Sequence, residues 1–143
     1  MTDPRTAPYA ALLLRVSLGA MFIAHGLLKV LVFTVPGTVQ FFGSLGLSPV
    51  FAYGTIAAEI VGGALLVIGV GTRWVALALI PVLLGATWVH AGNGWLFTAP
   101  NGGWEYPLFL TLAAAVQALL GDGALAVGTK FLGVARTPQL QSA

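Results

Sequence analysis

The sequence predicts an all-α membrane protein, a bundle of four transmembrane helices with a short interfacial helix between the first and the second. Of its 143 residues, 58% are hydrophobic and only 7% are charged, whereas about a quarter of the residues in a soluble domain are charged. The mean hydropathy is +0.95. Four apolar stretches recur along the chain, and a helix needs about 20 mainly apolar residues to cross a bilayer.

The composition also excludes several classes of function. The chain contains no cysteine, which excludes disulfides, thiolate-bound metals and thiol redox relays formed by this chain. Its net charge of +2 comes from few ionisable groups, and no cluster of lysine and arginine offers a surface for nucleic acid. No phosphate-binding glycine loop or nucleophile motif is present. These observations indicate a single domain in contact with the lipid bilayer.

The first predicted helix, at about residues 10–33, follows a short polar tail at 1–9. It is too long, and Arg15 lies too far inside it, for a cleaved signal peptide. Arg15, His25 and Lys29 share one face of this helix at 100° per residue. A charge near the centre of a bilayer costs at least about 2.5 kcal/mol, so we expect these side chains to face the bundle interior and to have partners there.

Residues 34–49 are too polar and too rich in glycine to span a bilayer. Their apolar residues recur every third position, which favours a short amphipathic helix in the membrane interface. A plain loop with buried phenylalanines is the alternative. The second predicted helix, at about 50–70, carries Glu59 near its middle, beside small residues of the kind that allow helices to pack closely.

The third predicted helix, at about 75–91, contains Pro81, where a bend is expected. A loop dense in glycine, asparagine and tryptophan follows it. The fourth predicted helix, at about 106–120, is short for a membrane span and ends in a glycine-rich segment. We therefore expect a membrane domain over 10–128 and a flexible C-terminal tail at 129–143.

Four spans place both termini on the same side of the membrane. Most of the cationic residues fall on that side, namely Arg5, Arg15, Arg73, Lys130 and Arg136. Lys29 alone falls on the other side. The positive-inside rule then places both termini in the cytoplasm and the tryptophan-rich loop at the outer face.

This topology converts sequence positions into depths at about 1.5 Å per residue. His25 and Glu59 both lie roughly 12–14 Å below the outer ends of their helices, and Lys29 lies one turn nearer the outer surface. We expect these three side chains to form a cluster. The outer loop should cover it with four further residues, His90, Trp95, Trp104 and Glu105.

Arg15 has no such partner at its own depth. We expect its side chain to extend to the cytoplasmic interface or to pair with Asp122, in a structural role.

The cluster has three interpretations. It is a buried ion pair that fixes helix register, or a small-molecule site entered from the outer leaflet, or part of a subunit that binds another protein and no ligand. A quinone suits the second interpretation, because its two carbonyl oxygens need donors and its ring needs aromatic walls. An imidazole can also exchange protons near neutral pH.

In the quinone interpretation, catalytic roles fall to His25, Lys29 and Glu59. His25 and Lys29 orient the head group, and Glu59 accepts protons. Cofactor-binding roles fall to His90, Trp95, Trp104 and Glu105, with the tryptophans shaping the mouth of the site. Haem fits less well, because the two histidines differ by roughly 10 Å in depth. The same mismatch argues against a metal site, and none is predicted.

Four segments of the chain resemble the DoxX family of small bacterial membrane proteins with four helices. They are RVSLGAMFIAHGLLKV (15–30), FFGSLGL (41–47), AAEIVGGALLVIGVGTR (57–73) and GGWEYP (102–107). They occur in the family order and cover about residues 10–128. Carried over by position, the polar residues of the family pattern are Arg15, His25, Lys29, Glu59, Arg73, His90 and Glu105.

The resemblance implies a multi-pass protein of the bacterial cytoplasmic (inner) membrane that is linked with oxidoreductase systems. The family takes its name from association with thiosulfate:quinone oxidoreductase, and some members are linked to quinone handling or oxidative stress. We therefore predict a quinone-interacting component of a membrane redox or quinone-detoxification system, acting as an oxidoreductase subunit with quinone as cofactor. Its expected partner is an oxidoreductase subunit or a second copy of itself. The alternative is a non-catalytic scaffold or assembly subunit for a partner protein.

Overall fold

The structure, a computed structural model, describes residues 3–128. Throughout that range the regular elements are helical. The helices are α1 (Ala7–Leu31), α2 (Val35–Ser44), α3 (Pro49–Ile68), α4 (Thr72–His90) and α5 (Glu105–Leu120). The tail predicted at 129–143 lies outside the described residues.

Three of these helices are long and apolar enough to cross a bilayer. They contain 25 residues in α1, 20 in α3, and 22 in α4 when its final turn, Ala91–Asn93, is included. The apolar α5 has 16 residues, which is about 24 Å of helix, against a hydrocarbon core of about 30 Å. The all-α bundle of apolar helices is confirmed, and the fourth span stays a prediction.

The helix boundaries differ from the predicted ones at several points. α1 begins at Ala7, three residues before the predicted start, so the polar tail is shorter than expected. A proline follows at position 8, and proline is well tolerated in the first turn of a helix. α4 begins at Thr72, also earlier than predicted, and it continues through Pro81 as a single helix.

The segment between the first two spans contains a helix. At the start of α2, the Thr34 hydroxyl oxygen accepts a hydrogen bond from the amide of Gly37 at 3.2 Å, which caps the helix. One turn later the buried Thr38 hydroxyl donates to the carbonyl of Lys29 at 3.0 Å, near the end of α1. The plain loop is therefore excluded. The position of α2 in the membrane interface stays a prediction.

α1 and α3 run antiparallel and approach each other closely through glycine. A Cβ atom on Gly19 would lie 2.6 Å from the carbonyl oxygen of Gly63, and one on Gly63 would lie 2.7 Å from that of Gly19. Gly26 faces α3 one level further along, where a Cβ would lie 2.6 Å from the side chain of Ile60. This close contact lets side chains of α1 bond to groups on α3 at both ends of the pair.

A buried apolar core fills the centre of the bundle. Its main members come from α1, α3, α4 and α5, namely Leu18, Phe22, Leu66, Ala76, Leu79, Leu83, Leu110, Ala114 and Ala118. The core separates two polar regions, one near the chain's N-terminus and one at the opposite end of the bundle.

Arg15 organises the polar region near the N-terminus. Only 1% of this residue is exposed. Its guanidinium donates to the carbonyls of Leu66 and Val67, both at 2.9 Å, and to that of Ala124 at 3.1 Å. The first two carbonyls belong to the last turn of α3, where carbonyl groups have few backbone partners and carry partial negative charge. Arg15 therefore links α1 to the end of α3 and to the segment that follows α5.

The hydrogen-bond partners of Arg15 differ from the expected ones, although Asp122 interacts with it electrostatically. The guanidinium bonds to backbone carbonyls inside the protein, and the residue is buried. Asp122 bonds elsewhere, since its Oδ1 accepts a hydrogen bond from the amide of Thr72 at 3.1 Å, at the start of α4. The sequence could not identify this arrangement, because every residue carries a carbonyl and the pattern does not show which ones lack partners.

Candidate functional site

An ion pair between Lys29 and Glu59 lies at the end of the bundle opposite Arg15. The Nζ atom of Lys29 is 2.8 Å from both Oε1 and Oε2 of Glu59. The glutamate is 5% exposed, and the lysine side chain is 20% exposed. An ammonium group has three hydrogens, so one of the three is left for another acceptor. The contact expected from depth matching is present, and a role for it in binding or catalysis stays a prediction.

A π-helical turn holds Glu59 in this position. Residues Ala58–Gly62 form the turn within α3. It places Glu59 and Ile60 against Gly26 of α1, while Gly63 directly after it packs on Gly19. π turns inside α-helices occur frequently at functional sites. The apolar pattern of this segment gave no signal of the turn.

His25 has one ring nitrogen bound and one open. Its Nδ1 lies 2.9 Å from the carbonyl oxygen of Met21, one turn earlier in α1. A carbonyl only accepts hydrogen bonds, so Nδ1 carries a hydrogen and donates it. Nε2 has no hydrogen-bond partner within residues 3–128. The ring also interacts electrostatically with Glu59, so His25 belongs with the ion pair as expected.

Tyr106 connects His25 to the outer loop. The centroids of the two rings are 6.4 Å apart, and their planes are inclined by 31°. Tyr106 lies in the first turn of α5 and is 44% exposed. Tyr106 was not among the predicted site residues. Its place beside Glu105, at the level of the predicted site, was the available signal.

Two of the predicted loop residues maintain the shape of the loop. The Nδ1 atom of His90 donates to the carbonyl of Gly102 at 3.0 Å, and the Asn93 amide donates to the same carbonyl at 2.9 Å. The rings of Trp104 and Trp95 pack edge to face with centroids 4.5 Å apart. His90 and Trp104 are therefore used within the loop, and neither lines the pocket beside it.

Glu105 also stabilises the loop, from its position at the start of α5. Its Oε1 accepts a hydrogen bond from the amide of Phe97 at 2.9 Å. Glycine is required at position 103, where two parts of the loop backbone pass close to each other, because a Cβ there would overlap the carbonyl oxygens of Trp95 and Leu96. These contacts hold the backbone of the loop against the first turn of α5.

A shallow apolar pocket of about 400 Å³ lies between the loop and α5. Its lining consists of Trp95, Phe97, Glu105, Tyr106, Leu108, Phe109 and Leu112. Of the predicted site residues, it includes Trp95 and Glu105. Tyr106 belongs both to this lining and to the contact with His25, so it joins the pocket to that histidine.

The chemistry available here is that of binding and proton exchange. The site combines an ammonium hydrogen on Lys29, an imidazole nitrogen on His25 and a carboxylate, next to aromatic walls. Among residues 3–128, no three histidine, cysteine, aspartate or glutamate side chains lie close enough together to hold a metal ion. The groups present suit a neutral aromatic ligand that carries oxygen atoms.

Comparison with known proteins gives one family and two relatives. The DoxX family profile matches residues 10–92. A Bacillus subtilis protein named "Putative oxidoreductase CatD" is 45% identical over 75 residues, which are 52% of this chain and 54% of that protein. An uncharacterized protein from Haemophilus influenzae is 35% identical over 126 residues, which are 87% of this chain and 92% of that protein. The alignment thus covers about half of the first relative's length and most of the second's. No solved structure matches the chain.

Proposed function

The chain belongs to the DoxX family, and on that premise we propose that it is a quinone-interacting component of a membrane redox or quinone-detoxification system. The observation that carries the proposal is the bidentate Lys29–Glu59 pair beside the open Nε2 of His25. Charged groups inside an apolar bundle are costly and mark functional sites by default. The relative named as an oxidoreductase supports a redox role.

In this proposal Lys29, His25 and Glu59 each have a separate role in binding a quinone. Lys29 donates its remaining hydrogen to a ligand oxygen, and His25 contacts the head group from the other side. Glu59 positions the ammonium through both carboxylate oxygens, and it is the predicted proton acceptor. The pocket beside Tyr106 receives the ring against apolar walls. Pockets of about 300–1,000 Å³ lined by aromatic groups with a few polar atoms are typical of small-molecule sites.

The proposal includes a membrane topology. In it α1, α3, α4 and α5 cross the bacterial cytoplasmic membrane, α2 lies in the outer interface, and both termini are cytoplasmic. The antiparallel order of the helices and the arginines near the N-terminal end support this orientation. The Lys29–Glu59 pair then opens toward the outer leaflet, where a lipid-soluble quinone has access.

The test is chemical analysis of the protein purified in mild detergent. Mass spectrometry of an organic extract should find about one quinone per chain, and the visible spectrum should show no Soret band. A Soret band would contradict the argument against haem. Protein that carries no quinone after gentle purification, and binds none on reconstitution, would refute the proposal.

A paired substitution shows whether the ion pair holds the ligand. Glu59→Gln alone leaves the ammonium of Lys29 without its counter-charge, and breaking a buried pair costs about 3–5 kcal/mol. The double variant Lys29→Met/Glu59→Leu removes both charges, and such replacements are often neutral for stability. It should retain the thermal stability of the wild type and lose the quinone. Arg5→Met, which removes a charge at an exposed site outside the helices, should keep the quinone.

A non-catalytic scaffold is the second candidate. An apolar groove of about 370 Å³ between α3 and α4, lined by Ala57, Ala58, Val61, Gly62, Leu65, Val75, Ala78 and Leu79, favours it. Small residues on such a surface allow another helix to approach closely. A scaffold should keep its association with a partner in Lys29→Met/Glu59→Leu, whereas a quinone site should lose its ligand in a variant that still folds.

A further inference from the structure

We infer that this site binds the hydroquinone form of its ligand more tightly than the quinone form. The inference rests on the proposed function and names which of the two ligand forms the site selects. It depends on a single atom, Nε2 of His25, which accepts hydrogen bonds when the imidazole is neutral. A hydroquinone has an O–H to donate to that atom, and a quinone has none.

The first step is the tautomer of His25. Nδ1 lies 2.9 Å from the carbonyl oxygen of Met21. Because that oxygen can only accept, the ring hydrogen is on Nδ1. In the neutral imidazole the other nitrogen then carries a lone pair. In the neutral ring, the backbone of α1 therefore makes Nε2 the acceptor, whatever side chain occupies position 21.

The second step is that Nε2 is open, whereas the carboxylate oxygens of Glu59 and Oε1 of Glu105 already accept hydrogen bonds. Both carboxylate oxygens of Glu59 accept from Lys29 at 2.8 Å. Oε1 of Glu105, at the pocket, accepts from the amide of Phe97. Nε2 of His25 has no partner in the described part of the chain, and the residue is only half-buried. It is the open basic nitrogen next to the wall formed by Tyr106.

The third step compares how the two forms of the ligand bond to Nε2 of His25 and to the ammonium of Lys29. A hydroquinone oxygen donates its hydrogen to Nε2 and can accept from the remaining ammonium hydrogen of Lys29. A quinone oxygen also accepts from Lys29, but it offers only lone pairs to Nε2. The difference is one hydrogen bond to neutral imidazole. A net hydrogen bond corresponds to about a threefold to tenfold change in affinity.

The experiment compares duroquinol with duroquinone, a matched pair that differs only in redox state. Binding to the full-length protein in detergent is measured anaerobically, with both ligands in the same buffer. Duroquinol should bind about threefold to tenfold more tightly. Equal affinities, or tighter binding of duroquinone, would overturn the inference.

The variant His25→Phe keeps a ring at this position and removes Nε2. It should lower the affinity for duroquinol more than that for duroquinone, so that the preference between the two ligands disappears. Leu13→Phe is the matched control, because it adds a ring at an exposed position of the same helix, near Arg15. It should retain the full preference. A preference that survives in His25→Phe would also overturn the inference.

A second probe needs no variant, and so it decides the question if His25→Phe does not fold. The dimethyl ether of duroquinol keeps the ring and both oxygens but has no O–H. With wild-type protein it should bind no more tightly than duroquinone. If it binds as tightly as duroquinol, the O–H is irrelevant and the inference fails.

The outcomes separate the two proposals. Binding of both ligands with equal affinity refutes the selection of the hydroquinone and leaves the quinone site standing. Binding of neither ligand refutes both.

Discussion

Replacing Arg15 by alanine should be among the most destabilising single substitutions in this protein. The residue is 1% exposed, and it donates three hydrogen bonds to backbone carbonyls of two separate segments. No other side chain in the described part of the chain bonds to the last turn of α3. Its loss should therefore weaken the contact of α1 with that turn and with the segment after α5.

The expected loss in the free energy of unfolding depends on how many carbonyls lose their only hydrogen-bond donor. The carbonyl of Leu66 also accepts from the amide of Gly69 at 3.2 Å, so it retains a partner. The carbonyls of Val67 and Ala124 have no second partner within the described residues. A buried polar group without a partner costs about 1–3 kcal/mol. Two of them give a loss of about 2–6 kcal/mol in the free energy of unfolding.

The assay is denaturant titration of detergent-solubilised protein, followed by tryptophan fluorescence and circular dichroism. Arg73→Ala is the control, since this arginine lies at the same end of the bundle but is exposed, and it should change stability by no more than about 0.5 kcal/mol. Arg15→Lys should give an intermediate loss, because a single ammonium cannot reproduce the fork of the guanidinium. If Arg15→Ala unfolds within 1 kcal/mol of the wild type, about the lower bound for one stranded carbonyl, the reasoning is refuted.

Five further substitutions are measured in the same titration. Gly69→Ala should cost more than about 1 kcal/mol, because φ is +75° there and the new Cβ would overlap the guanidinium of Arg15; wild-type stability would contradict this. Gly19→Ala should cost about 1–3 kcal/mol, since its Cβ would lie 2.6 Å from a carbonyl oxygen of α3. Gly85→Ala, in open space on α4, should gain about 0.4–1 kcal/mol, and equal stability of these two variants would disprove the close approach. Asp122→Ala should cost about 0.5–2 kcal/mol by removing the acceptor at the start of α4, and Asp122→Asn, which keeps an acceptor oxygen, should cost less.

The helices could be predicted because a helix that crosses a bilayer requires a long, mainly apolar stretch of sequence. Long apolar stretches gave α1, α3 and α4 to within a few residues. The contact of Lys29 with Glu59 could be expected because straight antiparallel helices have a constant rise per residue, so that depth alone brings two positions together. Such reasoning needs no knowledge of side-chain packing.

The remaining features could not be predicted because they depend on backbone groups or on irregular geometry. The π turn at Ala58–Gly62 leaves no mark on the apolar pattern. The outer loop is held by bonds from His90 and Asn93 to a carbonyl, and a prediction of those bonds needs the path of the loop itself. The sequence therefore placed His90 in the binding site, whereas in the structure its ring supports the loop through the carbonyl of Gly102.

The accessibility of the polar side chains separates those that stabilise the fold from those available to a ligand. Near the N-terminus, Arg15 and Gln117 bond to backbone carbonyls and are at most 1% exposed, so no ligand reaches them. At the other end, His25 has an open nitrogen, Lys29 has an unused hydrogen and Tyr106 is partly exposed beside a pocket. Substitutions at the first end should therefore change stability and leave the preference for hydroquinone intact. The substitution His25→Phe should do the reverse, and a variant that changed both properties together would show that the two regions are coupled through the core.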